Sequence, residues 1–217
     1  MSSGGKDSLL TLARLRSSPD WAVTSLITTV NETSGQVAMH GTPVELLEAQ
    51  ADSLGLPLTV IELPEGCDNQ TYEHRLAVGL RPFHQQGAAH IACGDLFLAD
   101  IREYREQLFA RLGWQPVFPL WLEPTDRLAR ELIEQGWLLT VTCVDTEKLT
   151  LPSLGARFDQ SFLEDLPEGV DPCGENGEFH TFVHDGPGFA TSLAFGAGRT
   201  VMNHDRFATL ELFGPTD

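Results

Sequence analysis

Ser2-Ser3-Gly4-Gly5-Lys6-Asp7-Ser8 opens the chain with two adjacent glycines, a lysine and two residues that can begin a helix. Adjacent glycines let the backbone turn tightly and bring N–H groups against an oxyanion, and the lysine adds a positive charge. Asp7 or Ser8 can start a helix, whose N-terminus also attracts anions. Neither G-x-x-x-x-G-K-[ST] nor a complete G-x-G-x-x-G occurs in the sequence. The segment therefore predicts a phosphate cradle of another kind, and the alternative is a glycine-rich turn that only starts a helix.

The position of this loop leads to an expectation about the fold. In open α/β proteins such a loop follows a buried parallel strand, whose carboxyl end aims the loop at the ligand. Only Met1 and Ser2 precede the loop in this sequence. We therefore expect the first strand of the fold to be missing from the chain as written.

The length and composition indicate a soluble globular protein with one sizeable core, or one main domain with a small appendage. The sequence has no run of eighteen apolar residues, and no basic start followed by an apolar segment. Both observations argue against a membrane span or a secretory signal, so we expect a cytoplasmic protein. The four cysteines are scattered and form no C-x-x-C pair, which disfavours structural zinc and a redox pair.

The chain is strongly acidic, with 14 Lys and Arg against 31 Asp and Glu and a formal charge of −17. A nucleic acid would meet net repulsion, and no basic run provides a local surface for one. A bound nucleotide would therefore depend on Lys6, the loop N–H groups, a helix N-terminus and Mg²⁺.

Segments of helical and strand character alternate along most of the chain and predict an open parallel sheet with helices on both faces. The predicted strands are residues 21–30, 58–63, 90–93 and 137–144, with a short extended run at 116–120. From about residue 145 the character changes to a short helix, an acidic Gly- and Pro-rich loop, a strand at 178–184 and a hairpin at 200–213. We therefore divide the chain into a nucleotide-binding α/β domain (1–145) and a small C-terminal α+β lobe for the substrate (146–217).

A second informative segment is Cys173-Gly174-Glu175-Asn176-Gly177-Glu178-Phe179-His180-Thr181. S-G-G-K-D-S resembles the PP-loop of the ATP pyrophosphatases, and C-G-E-x-G-E-[FY]-x-T is similar to the C-terminal motif of the diphthamide synthetase (diphthine ammonia ligase) family. The stretches 28–32, 39–41, 94–95 and 119–121 look like that family in the same order. The resemblance covers residue 2 to about residue 187.

The resemblance implies a reaction in which ATP activates a carboxylate as an acyl adenylate, and ammonia then forms the amide with loss of AMP. It implies that the nucleotide contacts a set of residues at the loop and the second strand, namely Ser3, Gly4, Gly5, Lys6, Asp7, Ser8, Thr28 and Thr29. The expected cofactors are ATP and Mg²⁺, and the expected partners are ammonia and a carboxylate-bearing protein or small molecule.

Four residues are candidates for catalysis, namely Lys6, Asp95, Glu175 and Glu178. Asp95 follows a glycine at a strand end and could orient a metal ion, or it could be a turn aspartate. Glu175 and Glu178 could receive ammonia and accept its proton, or form an acidic turn that binds nothing. The residues around them are candidates for contacts with the acceptor substrate, namely Gly174, Asn176, Gly177 and Thr181.

Some alternatives stay open at the level of sequence. Arg102 and Arg105 could clamp an anionic substrate, although the interleaved Glu103 and Glu106 favour an ion-paired surface. Cys173 could line the site. The chain could instead be a PP-loop sulfur or amine transferase, or a protein that binds ATP or AMP without turnover. The sequence does not indicate an oligomeric state.

Overall fold

A computed structural model of the protein describes residues 1–215. Helices and strands alternate up to residue 145, and strands dominate the remainder. In chain order the elements are α1 (Lys6–Ser17), β1 (Leu26–Asn31), α2 (Val44–Ser53), β2 (Leu58–Leu63), α3 (Asn69–Gln85), β3 (His90–Ala92), α4 (Ala99–Arg111), β4 (Gln115–Val117), α5 (Thr125–Glu134), β5 (Leu138–Asp145), a 3₁₀ turn (Leu151–Ser153), α6 (Gln160–Glu164), β6 (Phe179–Asp185), β7 (Gly196–Asn203) and β8 (Phe207–Phe213). The last two residues of the predicted C-terminal lobe lie outside the described residues.

The first half of the chain forms two parallel pairs of strands, β1 with β2 and β3 with β4, flanked by helices. The predicted α/β fold with parallel strands is confirmed. The prediction of a strand over residues 21–30 is wrong in its first part, because β1 begins at Leu26. The ladder with β2 starts where Leu26 lies opposite Leu58, and residues 21–25 have no ladder partner in the described structure.

The second half of the chain forms a four-stranded antiparallel sheet in the order β6-β5-β8-β7. The placement of residues 137–144 in the parallel sheet is therefore wrong, since β5 pairs with β6 and β8. Most of β5 is buried, and a continuous apolar run does not distinguish a strand of a parallel sheet from the centre of an antiparallel one. The predicted hairpin is confirmed as β7 and β8. The division at residue 145 stays a prediction, and the membership of β5 favours a division before that strand.

One hydrophobic core joins the two halves of the chain. It contains Leu9 of α1, Leu132 of α5, Val141 of β5 and Phe179 of β6, all of them buried. A second cluster lies between β1–β4 and helices α3 and α4, and includes Ile27. Because α1 and β6 share the first core, the glycine-rich loop is held against the C-terminal sheet. None of the helices within residues 1–215 is long and apolar enough to cross a membrane.

Candidate functional site

The glycine-rich loop ends at Gly5, and α1 begins at Lys6. Gly4 has a φ of +76°, a conformation that residues with a side chain rarely adopt. A Cβ atom on Gly4 would meet Leu47 Cδ2 at 2.4 Å, and a Cβ atom on Gly5 would meet the carbonyl oxygen of Thr181 at 2.9 Å. Both positions therefore require glycine for the loop to pack against α2 and β6.

Hydroxyl groups accept hydrogen bonds from the backbone N–H groups of the loop. Ser3 N donates to Ser8 Oγ at 3.1 Å, and Gly4 N donates to Ser2 Oγ at 3.4 Å. Such N–H groups at a helix N-terminus are also the natural donors to a phosphate. The hydroxyl oxygens therefore lie at acceptor positions that phosphate oxygens could take.

The loop is tied to the C-terminal sheet by two direct hydrogen bonds and by the bridging side chain of Gln50. Lys6 N donates to Thr181 Oγ1 at 3.1 Å, and Val183 N donates to Gly4 O at 3.0 Å. The Gln50 amide bridges the two segments, with Nε2 at 3.1 Å from Gly4 O and 2.6 Å from Val183 O. Two motifs that are far apart in the sequence thus form one site.

The sequence analysis missed Gln50, which is only 1% exposed. The signal that could have found it is its place on the apolar face of α2, where Leu46, Leu47 and Ala51 are also buried. A polar side chain on such a face needs internal partners. Gln50 finds them in the loop and in β6.

Lys6 is buried beside acidic groups, and its Nζ donates to Asp7 Oδ2 at 3.0 Å. Burial is the largest single effect on Lys6 and opposes its charge, but Asp7, Cys173 and Glu175 together favour the charged form, so that the pKa of Lys6 is raised. Its ammonium also lies 5.3 Å from the centre of the Phe179 ring. Lys6 therefore carries a positive charge at neutral pH.

Glu175 reaches from the C-terminal motif to the loop that follows β3. Its Oε1 accepts hydrogen bonds from Leu96 N at 2.7 Å and Phe97 N at 3.4 Å. Burial is the main cause that raises the pKa of Glu175 to about 7, and the charge of Asp7 adds to it. A carboxyl group with this pKa can take up or release a proton near neutral pH.

Glu178 differs from Glu175 in its contacts. It is buried, and its two oxygens accept hydrogen bonds from Asp171 N at 3.1 Å, Asn176 N at 2.9 Å and Asn176 Nδ2 at 3.0 Å. These contacts hold the turn of residues 171–178 in shape. The turn also needs glycine at position 174, where φ is +65° and a Cβ atom would meet Phe179 O at 2.8 Å.

One other residue of the C-terminal motif, Cys173, makes a hydrogen bond inside the protein. The Sγ of Cys173 donates to Thr125 O at 3.3 Å, and burial raises the pKa of this thiol, which stays protonated. Gly177 has a φ of +85°. The Cys173 thiol lines the site next to Lys6 but lacks the activation that a nucleophile needs.

Asp95 lies at the end of β3, as predicted, but it faces Arg105. Arg105 Nε donates to Asp95 Oδ1 at 3.0 Å and lies 2.9 Å from the buried Oδ2, so both carboxylate oxygens face the guanidinium. Gly94 brings this strand end against the loop, since a Cβ atom there would meet the backbone of Asp7 at 3.0 Å. No group of three His, Cys, Asp or Glu side chains suited to a metal ion occurs in the described part of the chain.

The two arginines of α4 are both ion-paired, but only Arg102 pairs with one of the interleaved glutamates. Arg102 Nε donates to Glu106 at 2.7 Å, and its guanidinium lies 4.8 Å and 4.6 Å from the ring centres of Phe118 and Trp121. Arg105 is the partner of Asp95. Neither arginine is therefore available as a clamp without breaking an ion pair.

Three further groups surround the loop. Thr28 of β1 is buried and its hydroxyl has no partner within residues 1–215, whereas its neighbour Thr29 is partly exposed.

The imidazole rings of His40 and His180 stack with 4.3 Å between their centres, and a Cβ atom on Gly5 would lie 3.2 Å from His40 Cε1. Burial lowers the pKa of His180 to about 4, with Lys6 adding to the effect, so this ring is neutral. The sequence analysis did not assign the histidines to the site.

The comparison with protein families agrees with the two halves of the site. Residues 1–116 match the family model described as the diphthamide synthase N-terminal domain, and residues 124–207 match the diphthamide synthase C-terminal domain. The chain belongs to the diphthamide synthase family.

Two curated members are similar to this chain. A diphthine–ammonia ligase of Danio rerio is 34% identical over 116 residues, which are 50% of this chain and 45% of that protein. A diphthine–ammonia ligase of Homo sapiens is 33% identical over 122 residues, which are 51% of this chain and 44% of that protein. The matched stretch spans less than half the length of each relative.

Proposed function

We propose that the protein is an ATP-dependent, AMP-forming amide ligase that joins ammonia to a carboxylate-bearing acceptor, as the names of its diphthine–ammonia ligase relatives suggest. The observation that carries this proposal is the contact between the two motifs. Lys6 N donates to Thr181, and the Glu175 carboxylate contributes to the raised pKa of Lys6. Lys6, which can bind an anion, thus lies near Glu175, whose carboxyl group titrates close to neutral pH.

The loop would hold the β and γ phosphates of ATP. Phosphate oxygens would replace the Ser2 and Ser8 hydroxyls as acceptors from the N–H groups of Ser3 and Gly4, and Lys6 would exchange part of its bond to Asp7 for the phosphates. Thr28 and Thr29 lie on the strand beside the loop, and we place adenine at that edge.

In the first step an oxygen of the acceptor carboxylate attacks the α phosphorus. The bond from that phosphorus to the bridging oxygen breaks, and pyrophosphate leaves with the bonding electron pair. The charge that develops on pyrophosphate would be stabilised by Lys6 and by the N-terminus of α1. The second product of this step is the acyl adenylate.

In the second step the nitrogen of ammonia attacks the acyl carbon, and AMP leaves with the electrons of the carbon–oxygen bond. The attacking nitrogen loses a proton, which Glu175 in its ionised form would accept. Glu178 is the other candidate for this task, and its contacts favour a role in shaping the turn. Gly174, Asn176, Gly177 and Thr181 form or adjoin that turn, and we propose that they border the acceptor.

A magnesium ion fits the donors that are present only if phosphates supply most of its ligands. Asp95 Oδ2 is a buried carboxylate oxygen that lies 2.9 Å from Arg105 Nε, so Asp95 could offer one ligand by giving up part of this ion pair. Magnesium in such sites takes one or two carboxylates together with phosphate oxygens and water. When bound, it would neutralise charge on the leaving pyrophosphate.

The experiment that tests the proposal supplies Mg·ATP, ammonium and a diphthine-bearing acceptor, and measures AMP and pyrophosphate. Equal amounts of both products that require the acceptor would support the ligase. Lys6→Ala should abolish them, whereas Lys148→Ala, at an exposed lysine, should not. Formation of ADP, or consumption of ATP that ignores the acceptor, would contradict the proposal.

A further inference from the structure

The turn of residues 37–42 carries backbone strain on both sides of His40. Met39 has a φ of +63° and Gly41 has a φ of +67°, and Gly41 N closes the turn by donating to Val37 O at 3.0 Å. The Met39 side chain is exposed, so its packing does not explain why a methionine adopts this conformation. Strained backbone of this kind is concentrated at sites where a side chain is held for a function. The side chain held between the two strained positions is His40.

The turn is packed against the C-terminal sheet at Gly41. A Cβ atom on Gly41 would collide with Thr209 Cγ2 of β8, so glycine is needed for this approach. The approach brings the ring of His40 against that of His180 in β6, with 4.3 Å between the ring centres and 34° between the ring planes. The imidazole of His40 is thus fixed by its own turn and by an aromatic neighbour.

One edge of the His40 ring faces the glycine-rich loop. A Cβ atom on Gly5 would lie 3.2 Å from His40 Cε1 and 3.4 Å from His40 Nδ1. Gly5 is the last residue before α1, whose N-terminal N–H groups attract anions. The nitrogen Nδ1 therefore lies at the loop that is expected to hold phosphate.

This nitrogen is buried, and it has no hydrogen-bond partner within residues 1–215. Buried polar atoms in folded proteins are nearly always hydrogen-bonded, and an exception calls for an explanation. A ligand oxygen at the loop would supply the missing partner. The unpaired nitrogen is a separate observation from the N-terminus of α1, and both indicate a group bound at the same place.

The charges around His40 favour a neutral ring. Burial holds the pKa of His40 well below its usual range, and His180 and the Lys6 ammonium add to the effect. A neutral imidazole has one N–H donor and one acceptor nitrogen. A second cation beside Lys6 would be repelled, whereas a neutral donor adds a hydrogen bond without adding charge.

We propose that His40 is a phosphate-binding residue of the site, and that its Nδ1–H donates to an oxygen of the pyrophosphate group of ATP. His180 is a positioning residue, because its ring packs against that of His40. The inference rests on the proposed function, from which it takes ATP as the ligand of the loop. As pyrophosphate leaves the α phosphorus, this donor would act together with Lys6 in stabilising the charge that develops.

The test separates the hydrogen bond from the shape of the ring. His40→Asn keeps an N–H donor near the position of Nδ1, His40→Gln moves the donor to about the position of Nε2, and His40→Leu removes it. Calorimetric titration measures the Kd of inorganic pyrophosphate and, separately, that of AMP. The control is His74→Leu, at an exposed histidine of α3, which should bind both ligands as the parent does.

We expect the Kd of pyrophosphate to rise about tenfold or more in His40→Leu and His40→Gln, and to stay within about threefold of the parent in His40→Asn. The Kd of AMP should be unchanged in all three variants. Imidazole ¹⁵N NMR of the parent gives a readout that a structural role would not move. Addition of pyrophosphate should give His40 Nδ1 the chemical shift of a protonated, hydrogen-bonded nitrogen.

Three results would overturn the inference. They are normal pyrophosphate binding by His40→Leu, a loss in His40→Asn as large as that in His40→Leu, and a Kd that rises for AMP alone. If the leucine variant does not fold, the comparison of asparagine with glutamine and the ¹⁵N shift of the parent decide, and an unchanged shift would overturn the inference.

The formation of AMP with ammonium and the acceptor is measured separately. Normal AMP formation together with normal pyrophosphate binding in His40→Leu would remove His40 from the site and leave the proposed ligase standing. The expected changes in pyrophosphate binding, in a parent protein that forms no AMP, would support the contact of His40 with phosphate and contradict the proposed ligase.

Discussion

The backbone nitrogen of Lys6 donates a hydrogen bond of 3.1 Å to the hydroxyl of Thr181, a residue 175 positions further along the chain. This bond ties the first turn of α1 to β6. The bond thus connects the glycine-rich loop to the C-terminal motif, and we expect a change in either segment to affect the other.

Replacement of Thr181 by valine tests this link. The variant keeps the shape of the side chain but leaves Lys6 N without its acceptor, which should lower the free energy of unfolding by about 1 kcal/mol and weaken the binding of Mg·ATP. Urea denaturation and calorimetric titration measure the two effects. The matched control is Thr142→Val, because the Thr142 hydroxyl is buried without a partner in the described structure and should lose nothing. Equal behaviour of the two variants would contradict the prediction.

Replacement of Gln50 by leucine removes the amide that bridges Gly4 O and Val183 O. Both carbonyl oxygens lose a hydrogen-bond donor in the interior, so we expect a loss of about 2 kcal/mol in the free energy of unfolding. Gln107→Leu, at a glutamine that bonds only to an exposed glutamate, is the control and should change stability by less than about 0.5 kcal/mol. A Gln50 variant as stable as this control would show that the bridge is dispensable.

Gly94→Ala should disturb the site more than the fold. The new methyl group would lie 3.0 Å from the backbone of Asp7, so the end of β3 must move away from the first turn of α1. We expect weaker binding of Mg·ATP by about tenfold, with a loss of stability of about 1–2 kcal/mol. Gly214→Ala, where no atom of residues 1–215 lies within 4 Å of the added carbon, should affect neither. Normal binding of Mg·ATP by Gly94→Ala would show that the close contact between the end of β3 and Asp7 is not needed for the site.

The raised pKa of Glu175 predicts how stability depends on pH. In the unfolded chain this carboxyl group ionises near its ordinary value of 4.5, and in the folded protein it ionises at about 7, mainly because of burial. Between these values the folded state holds the extra proton, so the contribution of Glu175 to stability falls as pH rises from about 4.5 to about 7 and is constant above. Glu175→Gln should therefore be more stable than the parent by about 1–2 kcal/mol at pH 8 and equal to it below pH 4. Urea titrations at pH 4 and pH 8 measure this difference.

The reaction should show the opposite dependence on pH. If ionised Glu175 accepts the proton from ammonia, the amidation rate at a constant concentration of free ammonia rises with pH up to about 7 and then levels off. Glu175→Gln should be slow and should lack this rise. Glu178→Gln is the comparison, and a loss of stability rather than a changed pH profile is expected because Glu178 holds its own turn. An unchanged pH profile in Glu175→Gln would exclude this role for Glu175.

Much of the fold and the outline of the site could be predicted because glycine and strand patterns depend on local physics. Gly4 and Gly174 adopt positive φ values that few other residues tolerate, so their motifs are visible in the sequence. The partners of Glu175 could not be predicted, since Leu96 N is a backbone group that any residue would supply. The sheet to which β5 belongs could not be predicted either, because an apolar run does not show whether the neighbouring strands are parallel or antiparallel.

The transfer of oxygen from the acceptor tests the central proposal most directly. The acceptor carboxylate is labelled with ¹⁸O, and the protein is supplied with Mg·ATP and ammonium. If the carboxylate attacks the α phosphorus, mass spectrometry will find one ¹⁸O atom in the phosphate of each AMP formed, and none in pyrophosphate. AMP without the label, or the label in inorganic phosphate beside ADP, would contradict the acyl adenylate and with it the proposed ligase.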